Sequence, residues 1–238
     1  MTPKQNQGAG KRRSPAIPLD YYENKSEQRA TNLFYVFYSG EVTERNYFEG
    51  LRDSFAHKNK IPSQFVHLQY AKGTPRQVVE SAIDKVKEQR QEINDNLKDK
   101  IWVVFDKDDF KENYSCAVST AINSHLQVAY SNVCFELWLL LYFQDVSEET
   151  ELRRSRLKKL LLKILEEHSG KPAKSKYIVK HFPYGLLLKH GNKNAAIKRA
   201  ESLLKKAKEK NPTNPHDINP VTNVHSLVKD LEMFFQTH

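Results

Sequence analysis

Ile101-Trp102-Val103-Val104-Phe105, running straight into Asp106-Lys107-Asp108-Asp109-Phe110, is the stretch on which the fold turns. Five consecutive β-branched or aromatic residues between Lys100 and Asp106 have the composition of a strand buried on both faces. Such strands belong to parallel sheets covered by helices. In those sheets ligands collect at the carboxyl ends of the strands. The Asp-x-Asp that closes this strand therefore stands where chemistry is expected.

Upstream, Leu33-Phe34-Tyr35-Val36-Phe37-Tyr38 repeats the pattern and ends at Ser39-Gly40. The segment from Thr43 to Leu51 then puts Tyr47, Phe48 and Leu51 on one helical face. Phe65 to Tyr70 alternates as a second strand, and Gly73-Thr74-Pro75 opens a helix with Thr74 as N-cap and Pro75 at its first position. Downstream of the central strand the sequence predicts a helix around Cys116–Ser124 and a short strand at Gln127–Tyr130. A turn at Ser131-Asn132 then leads into an apolar helix from Val133 to Phe143. Strands alternating with helices argue for an α/β fold with a mainly parallel sheet flanked by helices.

After Gln144 the composition changes to long helices rich in Lys, Leu and Glu, over Glu148–His168, Asn194–Lys210 and Val224–Phe235. Pro212, Pro215 and Pro220 punctuate the stretch before the last of them. The expected organisation is a flexible basic arm over 1–30, an α/β core over 31–144 and a helical C-terminal region over 145–238 packed on that core. The arm reads as a solvated tail or as a phosphate-contacting extension.

Composition narrows the function classes. Thirty-eight Lys and Arg against 29 Asp and Glu leave a net charge of +9 on 238 residues, a balance that attracts polyanions, nucleic acid first among them. Two cysteines, Cys116 and Cys134, form neither a zinc spacing nor a disulfide framework, so a reducing cytoplasm is the expected compartment. The polar, basic start of the sequence leads us to expect no secretory signal, and the longest apolar run, Leu137–Phe143, is too short to cross a bilayer.

Glu41 and Glu44 follow the first strand, while Asp106, Asp108 and Asp109 follow the central one. If the strands are neighbours, these carboxylates converge, an arrangement that is costly unless a cation shares it. Mg²⁺, or Mn²⁺ in its place, suits such an all-oxygen set and can polarise a phosphodiester. The competing reading of Glu41 and Glu44 is plain helix N-terminal charge complementarity. Glu136 lies in an apolar helix, where an unpaired charge is expensive, so it should face the site or a cation.

Four motifs carry a resemblance. Tyr38-Ser39-Gly40-Glu41-Val42-Thr43-Glu44-Arg45-Asn46-Tyr47-Phe48 resembles the opening C-E-G-E-x-T-E-x-x-Y-F of the RloB-like family, and Phe105-Asp106-Lys107-Asp108-Asp109-Phe110 is similar to its F-D-x-D-D-F. Ser131-Asn132-Val133-Cys134-Phe135-Glu136-Leu137-Trp138 resembles S-N-P-C-F-E-L-W, and Asn219-Pro220-Val221-Thr222-Asn223-Val224-His225 resembles N-P-S-T-x-V-H. The resemblance implies a Toprim-like fold and a role in bacterial anti-phage defence or abortive infection, often beside an ATPase partner. In Toprim proteins a strand-end glutamate and a D-x-D bind Mg²⁺. The D-x-D corresponds to Asp106 and Asp108, but the glutamate position is Ser39, which lacks a carboxylate.

The resulting expectation is a Mg²⁺-dependent nuclease acting on RNA, such as tRNA, or on DNA. Asp106, Asp108 and Glu41 are the expected metal ligands, with Glu44 and Glu136 in acid/base roles. His225 reads from the residues alone as a satisfied histidine, and the resemblance adds a phosphate-binding or catalytic role. Lys107, Lys174, Lys176, Lys180 and Lys189, with Tyr177, Phe182 and Tyr184 between them, are the candidate nucleic-acid contacts, or else the lysines solvate a surface loop. Two other classes remain open: a catalytically degenerate nucleic-acid-binding or partner-regulating subunit, and an aspartyl phosphotransferase.

Overall fold

The computed structural model describes residues 32–92, 99–107, 111–147, 152–169, 181–211 and 213–237. The expected basic arm, Asp108, Asp109, Lys174, Lys176 and Lys180 lie outside them. Five strands make one sheet in the order β2-β1-β3-β4-β5. They are β1 (Phe34–Tyr38), β2 (Val66–Tyr70), β3 (Lys100–Asp106), β4 (Gln127–Asn132) and β5 (Val221–Thr222). The first four run parallel and β5 is antiparallel to β4. Eight helices are described: α1 (Thr43–Asn59), α2 (Pro75–Glu92), α3 (Lys111–Asn123), α4 (Glu136–Leu141), α5 (Arg154–Ser169), α6 (Tyr184–His190), α7 (Lys193–Lys210) and α8 (Val224–Thr237).

Period-two alternation sorts the strand side chains between two cores. Phe34, Val36, Tyr38, Trp102 and Val104 face one, with Tyr47, Phe48 and Leu51 of α1 and the apolar face of α8. Tyr35, Phe37, Val103 and Phe105 face the other, with Val78, Val79 and Ala82 of α2 and Tyr114, Ala117 and Ala121 of α3. Helices thus cover both faces, as strands apolar on both sides require. The start of α2 matches its expected cap: Gln77 N–H donates to the Thr74 hydroxyl at 3.4 Å, and the Thr74 N–H donates back to Gln77 Oε1 at 2.8 Å.

Four local expectations change. Ser131 and Asn132 are strand rather than turn, because they pair with Thr222 and Val221 of β5, and α4 accordingly begins at Glu136 instead of Val133. Of the helix expected from Glu148, residues 148–151 lie outside the described ones, and the described helix begins at Arg154, with the backbone of Leu152 held instead by the Asn219 side chain. Residues 184–190, read as part of a basic loop, are a helix. Phe182 and Tyr184 are not stacking platforms: Phe182 is buried, and Tyr184 packs edge-on against Tyr47 with ring centres 5.7 Å apart.

Candidate functional site

The sheet order places the site. From β1 the chain crosses to β2 on one side, then passes back over β1 to reach β3 on the other. At such a reversal the connections leave the sheet in opposite directions and open a crevice beyond the strand ends. Tyr38 pairs with Val104, and the Ser39 N–H continues the ladder to the Val104 carbonyl at 3.2 Å. The residues after Tyr38 and after Phe105 therefore emerge side by side.

A cavity of about 260 Å³ lies there. Glu41, Glu44, Asp106 and Glu136 line it, together with Arg154 and Lys158 of α5 and the hydroxyl-bearing Ser39. Glu41 is exposed, whereas Glu44 and Glu136 are only 5% and 6% exposed. Glu44 keeps its place through Gly40, where a β-carbon would sit 1.6 Å from Glu44 Oε2, so the carboxylate occupies space that any other residue would fill. Asp106 lies 3.6 Å from Arg154 Nη2. The buried Cys134 thiol is pushed well up by burial and then by the charges of Glu136 and Asp106, while Arg154 acts in the opposite direction. It therefore remains a neutral S–H, buried beside the Glu136 carboxylate.

Alternation also explains why Lys107 is elsewhere. It follows Asp106 by one residue and so turns to the opposite face, where its ammonium meets Asp217 Oδ1 at 2.8 Å and lies over the Tyr114 ring. Lys189 is exposed in the last turn of α6 and does not line the cavity. His225 is buried in the first turn of α8, also away from the cavity, with Nδ1 lacking a hydrogen-bond partner. Burial lowers its pKa to about 4.

The donors suit a hard cation, since all four acidic side chains offer oxygen and Mg²⁺ is commonly held by one or two carboxylates with water and substrate oxygens completing the shell. Among the described residues no three His, Cys, Asp or Glu side chains are gathered closely enough to hold a metal by themselves. A cation here would accordingly depend on water and substrate for part of its coordination.

A family model described as RloB-like protein matches residues 34–231. The chain belongs to the RloB-like family. No curated protein and no solved structure gives a significant match. Among the described residues no helix is long and apolar enough to cross a membrane.

In this RloB-like chain the third and fourth motifs are stitched to each other. The Asn132 amide donates to the carbonyls of Asp217 and Ile218 at 3.1 and 2.9 Å, and the Ser131 and Thr222 hydroxyls meet at 2.9 Å. Asn223 imitates a strand partner, accepting from the Tyr130 N–H at 2.6 Å and donating to the Val128 carbonyl at 2.8 Å. Asn219 does the same for Leu152, accepting from its N–H at 3.2 Å and donating to its carbonyl at 2.8 Å, two residues before Arg154. Motif asparagines thus hold the entry of α5 beside the sheet.

The site residues that sequence reasoning missed are Arg154 and Lys158. Arg154 and Lys158 sit in a segment whose Lys and Arg content resembles any solvated helix face.

Proposed function

We propose that this RloB-like chain is a divalent-cation-dependent nuclease of the Toprim type that hydrolyses RNA or DNA in a bacterial anti-phage defence. The observation that carries the reading is the meeting of Glu41, Glu44, Asp106 and Glu136 in one cleft at the β1/β3 rim, with Arg154 and Lys158 on its wall. Mg²⁺ or Mn²⁺ held at Asp106, with Asp108 and Glu41 as further ligands, would polarise the scissile phosphate and acidify water. In hydrolysis a water oxygen bonds to phosphorus and the bond to the leaving sugar oxygen breaks. A nearby carboxylate takes the water proton, and the leaving oxygen needs one in return. The burial of Glu44 and Glu136 on the cleft supports assigning these transfers to them. Cooperation with an ATPase belongs to the same proposal.

A second reading has its own support: Asp106 is engaged by Arg154, and Ser39 stands where a Toprim glutamate would. In that case the chain binds nucleic acid or regulates a partner without cutting. Cleavage assays on tRNA, single-stranded RNA and DNA with Mg²⁺ or Mn²⁺ separate the two. Cation-dependent cutting that Asp106→Ala abolishes supports the nuclease. Binding without cutting, with activity appearing in Ser39→Glu, supports the degenerate subunit.

A further inference from the structure

Arg154 and Lys158 are four residues apart, so they project from the same face of α5 on successive turns. Leu157 and Leu161 of the same helix are fully buried in the core, which fixes the rotation of the helix and turns the two cations toward the cleft. The two differ in their engagement. Arg154 is close to Asp106, whereas Lys158, also on the cleft wall, makes no ion pair among the described residues. A half-buried ammonium beside four carboxylates that it does not neutralise is poor economy for stability alone.

We propose that Arg154 and Lys158 form the phosphate-binding wall of the acidic cleft, and that the group seated between them and Asp106 is a backbone phosphate of a nucleic-acid strand. This rests on the reading that the cleft handles nucleic acid. Carboxylates alone repel such a ligand. The two cations supply the opposite charge on a wall of the same cavity as Asp106. The cavity, about 260 Å³, admits a phosphate with its sugar and no base-paired duplex. Arg154 offers a planar fork that can keep Asp106 and grip a phosphate oxygen, and Lys158 offers a point charge.

The test is fluorescence anisotropy of a labelled single-stranded oligonucleotide against the full chain across a salt series, without divalent cation. Wild type is compared with Lys158→Ala, Lys158→Arg and Lys159→Ala, the last removing a neighbouring exposed charge that does not line the cleft. Losing one phosphate contact on a single strand lowers the salt slope by about 0.7, or about five-fold in affinity at 0.1 M salt. That loss is expected for Lys158→Ala, with Lys158→Arg restoring the slope, Lys159→Ala matching wild type and thermal midpoints unchanged. Equal losses in Lys158→Ala and Lys159→Ala, or none in either, overturn the inference. The outcome is independent of the hydrolytic reading. Cleavage abolished by Asp106→Ala but indifferent to Lys158 leaves a nuclease without this wall, while a Lys158-dependent slope with no cleavage under any cation leaves the wall without a nuclease.

Discussion

Gly40→Ala is the most direct probe of how the cleft is built. A β-carbon at this position would stand 1.6 Å from Glu44 Oε2, and since non-bonded contacts of a β-carbon below 3.0 Å essentially never occur, the carboxylate must retreat by about 1.4 Å. Glu44 is 5% exposed and anchored in the first turn of α1, so the retreat either swings the side chain out of its pocket or shifts the start of the helix. Forcing an extra methyl into a packed site costs about 1–3 kcal/mol. For a chain of this size that is a fall in thermal midpoint of ~2–4 °C per kcal/mol. A displacement on the order of 1 Å at a reacting group costs about 100-fold in turnover. Thermal unfolding and cation-dependent cleavage of a labelled RNA are to be measured for Gly40→Ala, Glu44→Ala and the double variant. Because the clash is with the Glu44 carboxylate, the double variant should be less destabilised than the sum of the singles. A Gly40→Ala protein with wild-type stability, or strictly additive losses, would refute the close packing of Glu44 on Gly40.

Asn219→Ala removes both hydrogen bonds to Leu152 and leaves its backbone groups unpaired, which should cost about 1–3 kcal/mol in chemical denaturation and weaken single-strand binding through Arg154. The pKa of His225 is about 4 folded against 6.5 in its unperturbed form, so below pH 6.5 the unfolded chain binds the extra proton. Stability should be full above that value, decline as pH falls toward 4 and level off beneath, with about 3 kcal/mol at stake. Stability–pH curves should therefore be shallower for His225→Asn across that window, and parallel curves would remove this histidine from the account. Lys107→Met loses a partly exposed ion pair with Asp217 and should cost under about 1 kcal/mol while leaving oligonucleotide affinity unchanged, because its ammonium is turned away from the cleft.

The sheet was legible because β1 and β3 are short, apolar and bounded by Gly, Asp and Lys, and because parallel strands need helices between them. That β1 and β3 are neighbours was only a condition of the sequence reading; their register supplies it, and with it the meeting of Glu41, Glu44 and Asp106. Glu136 was legible from the cost of a charge in an apolar helix. What periodicity could not show is contact across long separations in sequence. β5 is two residues long, too short to alternate, and is a strand only because Ser131 and Asn132 accept it as a partner. Arg154 reaches Asp106 because Asn219, more than sixty residues away, grips Leu152, and no local pattern encodes that. Lys107 and His225 were misleading for the converse reason: each sits beside motif residues in sequence but faces another part of the molecule.

The pairing of β5 with β4 and the grip of Asn219 on Leu152 also set an order of assembly during synthesis. A nascent chain that has not yet delivered residues 219–223 from the ribosome already contains every acidic side chain of the rim, yet leaves the β4 edge open and the base of α5 untethered. The cationic wall is thus among the last parts to be fixed, and ribosome-stalled chains ending before Asn219 should be cut by protease near Leu152 when the released protein is not.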